Sequence, residues 1–212
     1  MKILSVQPLV IPDVKVIRFT RFIDDRGYFT EPYRKSELHV YPELNELVDV
    51  KFVQINESFS KEGVCRGLHF QWNPFMGKLV RTIYGHMVDL VLDIRKGSPT
   101  LGKILAYNMP TTLADDFGEW IWVPPGFAHG NFFLQETRIE YLCSGEYSSK
   151  CEAGISPLSE DLDWSLCPEE LKILFDTTVR KKGVLSEKDQ NGFSLHKWLE
   201  DTRSNNFVFG VR

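Results

Sequence analysis

Short runs of β-branched and aromatic residues recur along this chain, and turn-forming residues separate them. Runs of this kind, bounded by Gly, Pro, Asn or Asp, are typical of β-strands. They are VKVIRF (14–19), VKFVQIN (50–56), KLVRTIY (78–84), HMVDLVLDIR (86–95), EWIWV (119–123) and RIEYLC (138–143). No long helical pattern interrupts them before residue 165. The pattern predicts an all-β chain, folded as a sandwich or small barrel rather than as βαβ units.

Three stretches favour short peripheral helices. Pro42 splits the first, KSELHVYPELNELV (35–48), while the second, PEELKILF (168–175), has a proline at a plausible first position. The third, FSLHKWLED (193–201), can start at Ser194, a residue type that commonly caps helices. The last dozen residues are predicted to be a tail or a strand that pairs with a partner.

The length and the absence of boundaries point to one unit. At 212 residues the chain exceeds the usual size of a domain, but all-β barrels and sandwiches often reach this length. No repeat, low-complexity tract or linker divides it. We therefore predict a single domain over residues 1–212.

Composition limits the partners. The formal net charge of −4 argues against nucleic acid, which is held by a surplus of Lys and Arg. The apolar N-terminus is interrupted at Pro8, Pro12 and Asp13 and is too short to span a bilayer. The four cysteines have no CxxC spacing, which suits a reducing compartment; they are Cys65, Cys143, Cys151 and Cys167. We expect a soluble cytoplasmic protein without a nucleic-acid or membrane partner.

The stretch RGLHFQ (66–71) places a histidine inside a strand. Under period-2 alternation His69 and Gln71 share one face, whereas Arg66 lies on the other face unless the strand is bulged. A single strand histidine is more often a core residue with a hydrogen-bonded ring. However, a packed β-structure has no structural need for several nearby cations, and the cations here are Arg66, Lys78, Arg81 and Arg95. A pocket with a histidine and cations is therefore expected. The nucleotide-fold and hydrolase motifs GxGxxG, GxxxxGK[ST], GxSxG and HExxH are absent from the sequence.

A metal site is the first alternative. Cupin metal sites use an H-x-H pair, a Glu shortly after it and a later His. Here position 71 is Gln, no Glu occurs between 72 and 84, and only His69 and His129 remain as ligands. Two imidazoles without a carboxylate make a poor site, so metal is disfavoured.

Seven stretches resemble one enzyme family in the same order along the chain. They are DDRGYF (24–29), FVQIN (52–56), RGLHFQ (66–71), GKLVR (77–81), VDLVLDIRKGSPTLG (88–102), WVPPGFAHG (122–130) and LSEKD (185–189). Over roughly residues 10–190 the chain is similar to the dTDP-4-dehydrorhamnose 3,5-epimerase family, metal-free enzymes of deoxysugar biosynthesis. The resemblance implies a cupin or jelly-roll β-barrel, no cofactor and a homodimer. About 20 extra residues, 192–212, follow the usual end of the family.

The resemblance also implies chemistry next to the C4 ketone of a nucleotide-linked 6-deoxyhexose. A base removes a proton from C3 or C5, an enolate forms, and a proton returns on the other face. His69 matches the family's base, because an imidazole can take and give protons near neutral pH. Asp189 matches the carboxylate that orients it, Lys78 the cation beside the C4 oxygen, and Tyr141 the general acid. Taken singly, each of the last three would pass as an ordinary structural residue.

Binding residues follow from the same resemblance. Arg26, Phe29 and Glu31 match a segment that reaches across the dimer to the nucleotide of the partner subunit. The groups that match contacts to diphosphate, sugar and base are Gln54, Asn56, Arg66, His129 and Tyr147.

The chain departs from the family pattern around these contacts. The stretch LCSGEYSSK after Tyr141 retains only Tyr147 of a usual tyrosine pair, and FVQINES puts Glu57 where the family has a histidine-containing run. CDP- and GDP-linked sugars therefore stay open as substrates, as does inversion at one carbon or at both. A non-catalytic sugar-nucleotide binder and a metal-dependent cupin oxygenase or isomerase are the alternative functions.

Overall fold

The computed structural model describes residues 1–211 and consists mainly of antiparallel strands. Within these residues there are twelve strands: β1 (Ile3–Pro8), β2 (Lys15–Thr20), β3 (Phe22–Asp24), β4 (Gly27–Phe29), β5 (Gln54–Ser60), β6 (Cys65–Gln71), β7 (Lys78–Asp93), β8 (Ile104–Thr111), β9 (Phe117–Val123), β10 (Phe127–Phe133), β11 (Thr137–Cys143) and β12 (Glu152–Gly154). The prediction of a mainly β chain is confirmed. The predicted strand over 50–56 starts later, at Gln54, and continues to Ser60.

The helices are short and flank the strands. They are α1 (Lys35–Leu38), α2 (Asn45–Val48), α3 (Glu169–Phe175), α4 (Glu187–Gln190) and α5 (Leu195–Glu200), with 3₁₀ turns at Pro42–Leu44 and Thr202–Asn206 and a π turn at Asp176–Arg180. Pro42 splits the first helical stretch as predicted. Ser194 caps α5, since its side chain accepts a hydrogen bond from the Lys197 N–H. Pro168 is the N-cap of α3 rather than its first helical residue.

Strand β7 belongs to two sheets. Its first half pairs with β9 and β11, and its second half pairs with β8 and β10. The two halves meet at Gly85, which has a φ of +100° and where a Cβ would lie 2.4 Å from the Glu136 carbonyl oxygen. The sequence predicted two strands separated at this residue. Instead, one continuous strand passes there from one sheet into the other. Glycine permits this, because a side chain at position 85 would clash and the positive φ is unfavourable for other residues.

The two sheets face each other as a jelly roll, which confirms the predicted fold. One has the order β1-β2-β9-β7-β11-β5 and the other β8-β7-β10-β6-β12. A buried cluster between them takes residues from both, among them Val16, Ile121, Val91 and Phe127. Helices α1 and α2 cover the outer face of the first sheet, and α3 and α5 cover that of the second. Among residues 1–211, no helix has both the length and the apolar character needed to cross a lipid bilayer.

The stretch DIRKGSPT forms a turn after β7 that is organised around a buried carboxylate. Asp93 is fully buried and accepts hydrogen bonds from the Arg95 guanidinium (2.8 Å), the Ser98 hydroxyl (2.6 Å) and the Thr100 hydroxyl (2.7 Å). Burial alone would raise the pKa of Asp93, but these hydrogen bonds hold it below its usual value. This stretch therefore has a structural role. The sequence suggested that Arg95 is a pocket cation, but its guanidinium instead pairs with Asp93.

We expect the substitution Asp93→Ala to destabilise the protein by about 3–5 kcal/mol, because it leaves the Arg95 guanidinium largely buried without its main partner. Urea denaturation measures the loss. Asp49→Ala removes an exposed carboxylate and serves as the matched control. A loss for Asp93→Ala no larger than that of the control would contradict the role of this turn.

Candidate active site

A cavity of about 140 Å³ opens between the two sheets. Of the residues that the sequence singled out, it is lined by Gln54, Asn56, His69, Lys78, Tyr141 and Tyr147. His69 lies on β6 in one sheet, whereas Tyr141 lies on β11 in the facing sheet. A substrate between the sheets would therefore meet the imidazole on one side and the phenol on the other.

The imidazole of His69 is bonded to a carboxylate from a distant part of the chain. Its Nε2 lies 2.6 Å from Oδ1 of Asp189, which is 7% exposed. Burial raises the pKa of Asp189, but hydrogen bonds from His69, the Ser186 hydroxyl and the Gly67 N–H outweigh this and lower it. An ionised carboxylate only accepts hydrogen bonds, so His69 must donate through Nε2. Its Nδ1 is then the ring atom that can accept a proton.

Two glycines allow β6 and β10 to approach closely at this site. A Cβ on Gly67 would lie 2.6 Å from the Gly130 Cα, and Gly67 has a φ of +107°. His69 pairs with His129 but Arg66 pairs with Asn131, so β6 contains one extra residue. The sequence analysis did not decide whether β6 is bulged between Arg66 and His69, and the structure shows that it is.

The bulge does not bring Arg66 into the wall of the cavity. Its Nε instead donates to the Ser60 hydroxyl at 2.9 Å. The positive charge of Arg66 still opposes slightly the rise in the pKa of the Tyr141 phenol. Arg81 is also outside the cavity, because it pairs with Glu140 at 2.8 Å. Of the four cations that suggested a pocket, Lys78 is the one that lines it.

The predicted cation and the predicted acid both have shifted acidity. Burial lowers the pKa of the Lys78 ammonium. The nearby Cys143, Asp89 and Glu152 raise this pKa but offset only part of the decrease. Burial raises the pKa of the Tyr141 phenol, and Asn56 opposes this rise in part. Tyr141 is therefore protonated at neutral pH and can donate a proton. A partly buried ammonium interacts more strongly with a nearby anion than one in open water.

Sequence reasoning missed an acidic group in the cavity. Glu152 on β12 lines the cavity and accepts hydrogen bonds from the Tyr147 hydroxyl (2.7 Å) and the Lys188 ammonium (2.5 Å). Burial raises the pKa of Glu152, but Lys188 and Tyr147 bring it below its usual value. Lys188 immediately precedes Asp189 in the sequence. This position next to a predicted site residue was a signal that Lys188 lies near the cavity. Glu152 follows no strand-like pattern in the sequence.

Gln71 was placed on the face of His69 by alternation, and it lines the same cavity. Its amide donates to the carbonyl oxygens of Pro74 (2.8 Å) and Glu146 (2.9 Å) and accepts from the Ser148 N–H (2.7 Å). These bonds tie together the two loops that carry Met76 and Tyr147 to the cavity.

His129 is not among the residues that line the cavity, although it pairs directly with His69 across β10 and β6. Its Nε2 is 2.7 Å from Oδ2 of Asp89, and both side chains are buried. The predicted contact of His129 with substrate is therefore not apparent in the cavity lining. Across residues 1–211, no three His, Cys, Asp or Glu side chains come together as a metal site would require.

The three residues predicted to reach a partner lie on or next to a projecting hairpin. Strands β3 and β4 form a separate two-stranded sheet whose residues are all exposed. Arg26 pairs with Asp24 in the same hairpin, Phe29 is 65% exposed, and Glu31 bonds to the N-terminal amino group at 2.7 Å. None of these predicted residues lines the cavity of its own chain.

Comparison with known proteins gives one consistent result. A sequence model of dTDP-4-dehydrorhamnose 3,5-epimerase matches residues 8–197. The dTDP-4-dehydrorhamnose 3,5-epimerase of Sinorhizobium fredii is 42% identical over 192 residues, which is 89% of this chain and 88% of that protein. The enzyme of the same name from Shigella flexneri is 37% identical over 86% of this chain and 91% of its own length.

A solved structure agrees with the sequence comparison. The dTDP-6-deoxy-D-glucose-3,5-epimerase of Legionella pneumophila, in complex with dTDP-4-keto-L-rhamnose, superposes with a TM-score of 0.78 at 29% identity. The match covers 98% of this chain and 99% of the Legionella chain.

The lowered pKa of Asp189 predicts a pH-dependent contribution to stability. A carboxyl whose pKa is lower in the folded state stabilises the fold above its unfolded pKa of about 4, and this contribution disappears as pH falls through the folded pKa. We expect Asp189→Asn to be less stable than the native protein by about 2 kcal/mol at pH 5, and the difference to shrink towards pH 3. Urea titrations at each pH measure it, with Asp49→Asn as the exposed control. A difference that stays constant over this range would refute the assignment.

Proposed function

The chain belongs to the dTDP-4-dehydrorhamnose 3,5-epimerase family, and we propose that its cavity inverts C3, C5 or both carbons of a nucleotide-linked 4-keto-6-deoxyhexose. It is accordingly an isomerase of deoxysugar biosynthesis. The observation that carries the proposal for this cavity is the His69–Asp189 pair on one wall, opposite the protonated phenol of Tyr141, with the Lys78 ammonium in the same cavity.

In the first step His69 acts as the base. The C–H bonds at C3 and C5 are acidified by the adjacent C4 carbonyl. Nδ1 of His69 takes the proton, the C–H electron pair forms the C=C bond of an enolate, and negative charge moves to the C4 oxygen. Asp189 stabilises the imidazolium that results and keeps the ring in the required tautomer. Lys78 stabilises the oxyanion, a contribution worth about 3–4 kcal/mol for one well-placed donor.

In the second step Tyr141 acts as the acid. Its phenol donates a proton to the same carbon from the opposite face, the enolate collapses to the ketone, and the configuration is inverted. The raised pKa of Tyr141 keeps the proton on the phenol until the carbanion forms. The Tyr141 phenolate then regains a proton from solvent, and His69 loses its own. The sequence of steps consumes no oxidant, reductant or other co-reactant.

The nucleotide is proposed to lie at the mouth of the cavity beside Tyr147. This ring is 58% exposed, and its hydroxyl is fixed by Glu152, so its face is available for stacking on a base. The Legionella relative binds a dTDP-linked sugar. We take a dTDP-linked sugar as the substrate of this chain, with CDP- and GDP-linked sugars as the competing outcomes.

A homodimer is proposed to complete the site. Apolar side chains are exposed on the β3–β4 hairpin and on the outer face of the edge strand β5; they are Phe22, Ile23, Tyr28, Phe29, Ile55 and Phe59. A second copy could cover this surface, and its hairpin would then bring Arg26, Phe29 and Glu31 to the nucleotide. None of these three residues lines the cavity of its own chain, which supports this arrangement. Because Cys65, Cys143, Cys151 and Cys167 are all free thiols, we place this dimer in the reducing cytoplasm.

Proton exchange in heavy water tests the chemistry. We expect the native protein to introduce deuterium at C3, C5 or both when it is incubated with a dTDP-linked 4-keto-6-deoxyhexose. His69→Ala is expected to lose about 10³-fold in exchange rate, and Lys78→Met about 10²–10³-fold. Tyr141→Phe is expected to retain exchange but to form little inverted product, because His69 can return a proton to the original face.

The same assay separates the alternatives. NMR spectra resolve each carbon, and parallel reactions with CDP- and GDP-linked sugars define the nucleotide. Binding without exchange for every sugar would favour a non-catalytic binder. Stoichiometric iron or manganese in the purified protein, together with activity lost to a chelator, would favour a metal-dependent cupin.

Mixing two inactive variants tests the shared site. In a homodimer whose sites use Arg26 from the partner, His69→Ala and Arg26→Ala dimers are each defective, but a mixed dimer has one intact site. After subunit exchange at equal concentrations we expect about a quarter of native activity. Mixing His69→Ala with Lys78→Met is the control, since both residues line the cavity of one chain and no intact site can form. Equal outcomes for the two mixtures, or a monomer in sedimentation, would exclude sharing.

A further inference from the structure

The C-terminal residues pack back onto the protein. The sequence predicted that the last dozen residues form a tail or a partner-bound strand, but this is wrong for residues 201–209, which pack on their own chain; residue 212 lies outside the described residues. The segment 198–209 is here called the C-terminal strap. The strap begins in the last turn of α5 and forms the 3₁₀ turn Thr202–Asn206. Its residues Trp198 and Phe207 are almost fully buried, at 0% and 3% exposure. The sequence model of the family matches only as far as residue 197, whereas the Legionella structure aligns with 98% of this chain.

The strap rests against the strand that carries the proposed base. The ring of Trp198 lies 4.6 Å from that of Phe70, and the ring of Phe207 lies 5.6 Å from Phe70 and 5.7 Å from Phe75. Phe70 sits on β6 between His69 and Gln71, and all three residues contribute to the cavity lining. The Phe70 side chain packs in the outer cluster with Trp198 and Phe207. Since neighbouring strand residues point to opposite faces, the strap supports β6 directly behind the imidazole.

The strap also contacts the segment that carries the proposed orienting carboxylate. Phe193 follows closely after α4, which contains Asp189, and its ring lies 5.8 Å from that of Trp198. The Phe193 N–H donates to the Gly154 carbonyl oxygen at 2.9 Å, and Gly154 in turn pairs with His69. The strap therefore lies against β6, which carries His69, and against Phe193, which follows the helix that carries Asp189.

The far end of the strap is fastened to the body of the protein. The Lys96 N–H donates to the Phe207 carbonyl oxygen at 2.8 Å, and the Phe209 N–H donates to the Lys96 carbonyl oxygen at 2.9 Å. Lys96 belongs to the turn organised by Asp93. These two hydrogen bonds fix the end of the strap, so that Phe207 stays packed against Phe70.

We propose that the C-terminal strap positions the His69–Asp189 pair, with Phe207 as its principal positioning residue; the proposal rests on the function proposed above. The hydrogen bond between the two side chains spans 2.6 Å and joins residues 120 positions apart, so small movements of β6 relative to α4 would lengthen it. Displacements of about 1 Å at a reacting group can cost up to 10²-fold in rate. Removing the Phe207 ring takes away support behind β6 without changing any cavity residue.

Three substitutions test the proposal. Phe207→Ala removes the ring, Phe207→Leu keeps most of its volume, and Phe209→Ala is the matched control. The ring of Phe209 is 44% exposed and packs on Arg95 at 5.0 Å rather than on β6. All proteins are assayed well below their measured melting temperatures.

The first readout needs no substrate. A proton shared between His69 and Asp189 gives a downfield NMR resonance, identified by its loss in Asp189→Asn. We expect this resonance to disappear or broaden strongly in Phe207→Ala, to broaden only slightly in Phe207→Leu and to be unchanged in Phe209→Ala. The second readout is turnover of the dTDP-linked 4-keto sugar. Here we expect kcat of Phe207→Ala to fall about tenfold, with KM changed less than about twofold.

The outcomes separate positioning from general stabilisation. A folded Phe207→Ala protein with the native resonance and native kcat would overturn the proposal, even if its melting temperature were lower. If Phe207→Ala does not fold, Phe207→Leu carries the test: a two- to threefold smaller kcat and a broadened resonance are then expected, and native values overturn the proposal. A native protein that exchanges no protons on any sugar refutes the proposed function, whereas the resonance still reports on the strap.

Discussion

The hydrogen bond between His69 and Asp189 is the interaction on which the site depends. It joins β6 to α4 across 120 residues of sequence, and it determines which imidazole nitrogen can accept a proton. The burial of Asp189 would by itself favour the neutral acid, which could not orient the ring in this way. Hydrogen bonds from His69, Ser186 and Gly67 reverse that tendency. The local fold therefore maintains the charge that the proposed chemistry requires.

The jelly roll supplies the two walls that this chemistry needs. Strand β7 passes from one sheet to the other at Gly85, so Lys78 at its start belongs to the sheet that also carries Tyr141. His69 approaches from the facing sheet. Helices and the C-terminal strap occupy the outer faces of the sheets, where they support the walls without entering the cavity. The proposed base and the proposed acid lie on opposite walls, which is the arrangement that inversion at a carbon demands.

Several conspicuous sequence features turn out to serve the architecture. Asp93 and Arg95 organise the turn after β7, and Arg81 pairs with Glu140. Gly67 and Gly130 let β6 and β10 approach closely, which aligns His69 with His129 across the two strands. The cations between residues 66 and 95 therefore correctly indicated that a cavity lies nearby. They include one cavity cation, Lys78, together with structural ion pairs that hold the surrounding strands in place.

The sequence alone determined the strand-rich pattern, the cap at Ser194, the break at Pro42 and the shared face of His69 and Gln71, because each depends on neighbours a few residues away. The family motifs added His69, Lys78, Tyr141 and Asp189 as a set. The family resemblance also implied that Asp189 orients His69, but only the tertiary structure decided that Glu152 meets Lys188 and that the strap meets Phe70. It also decided that β7 is continuous and that β6 is bulged beside Arg66. These features depend on strand register and on close packing between segments far apart in the chain, and a periodic pattern contains no information about either.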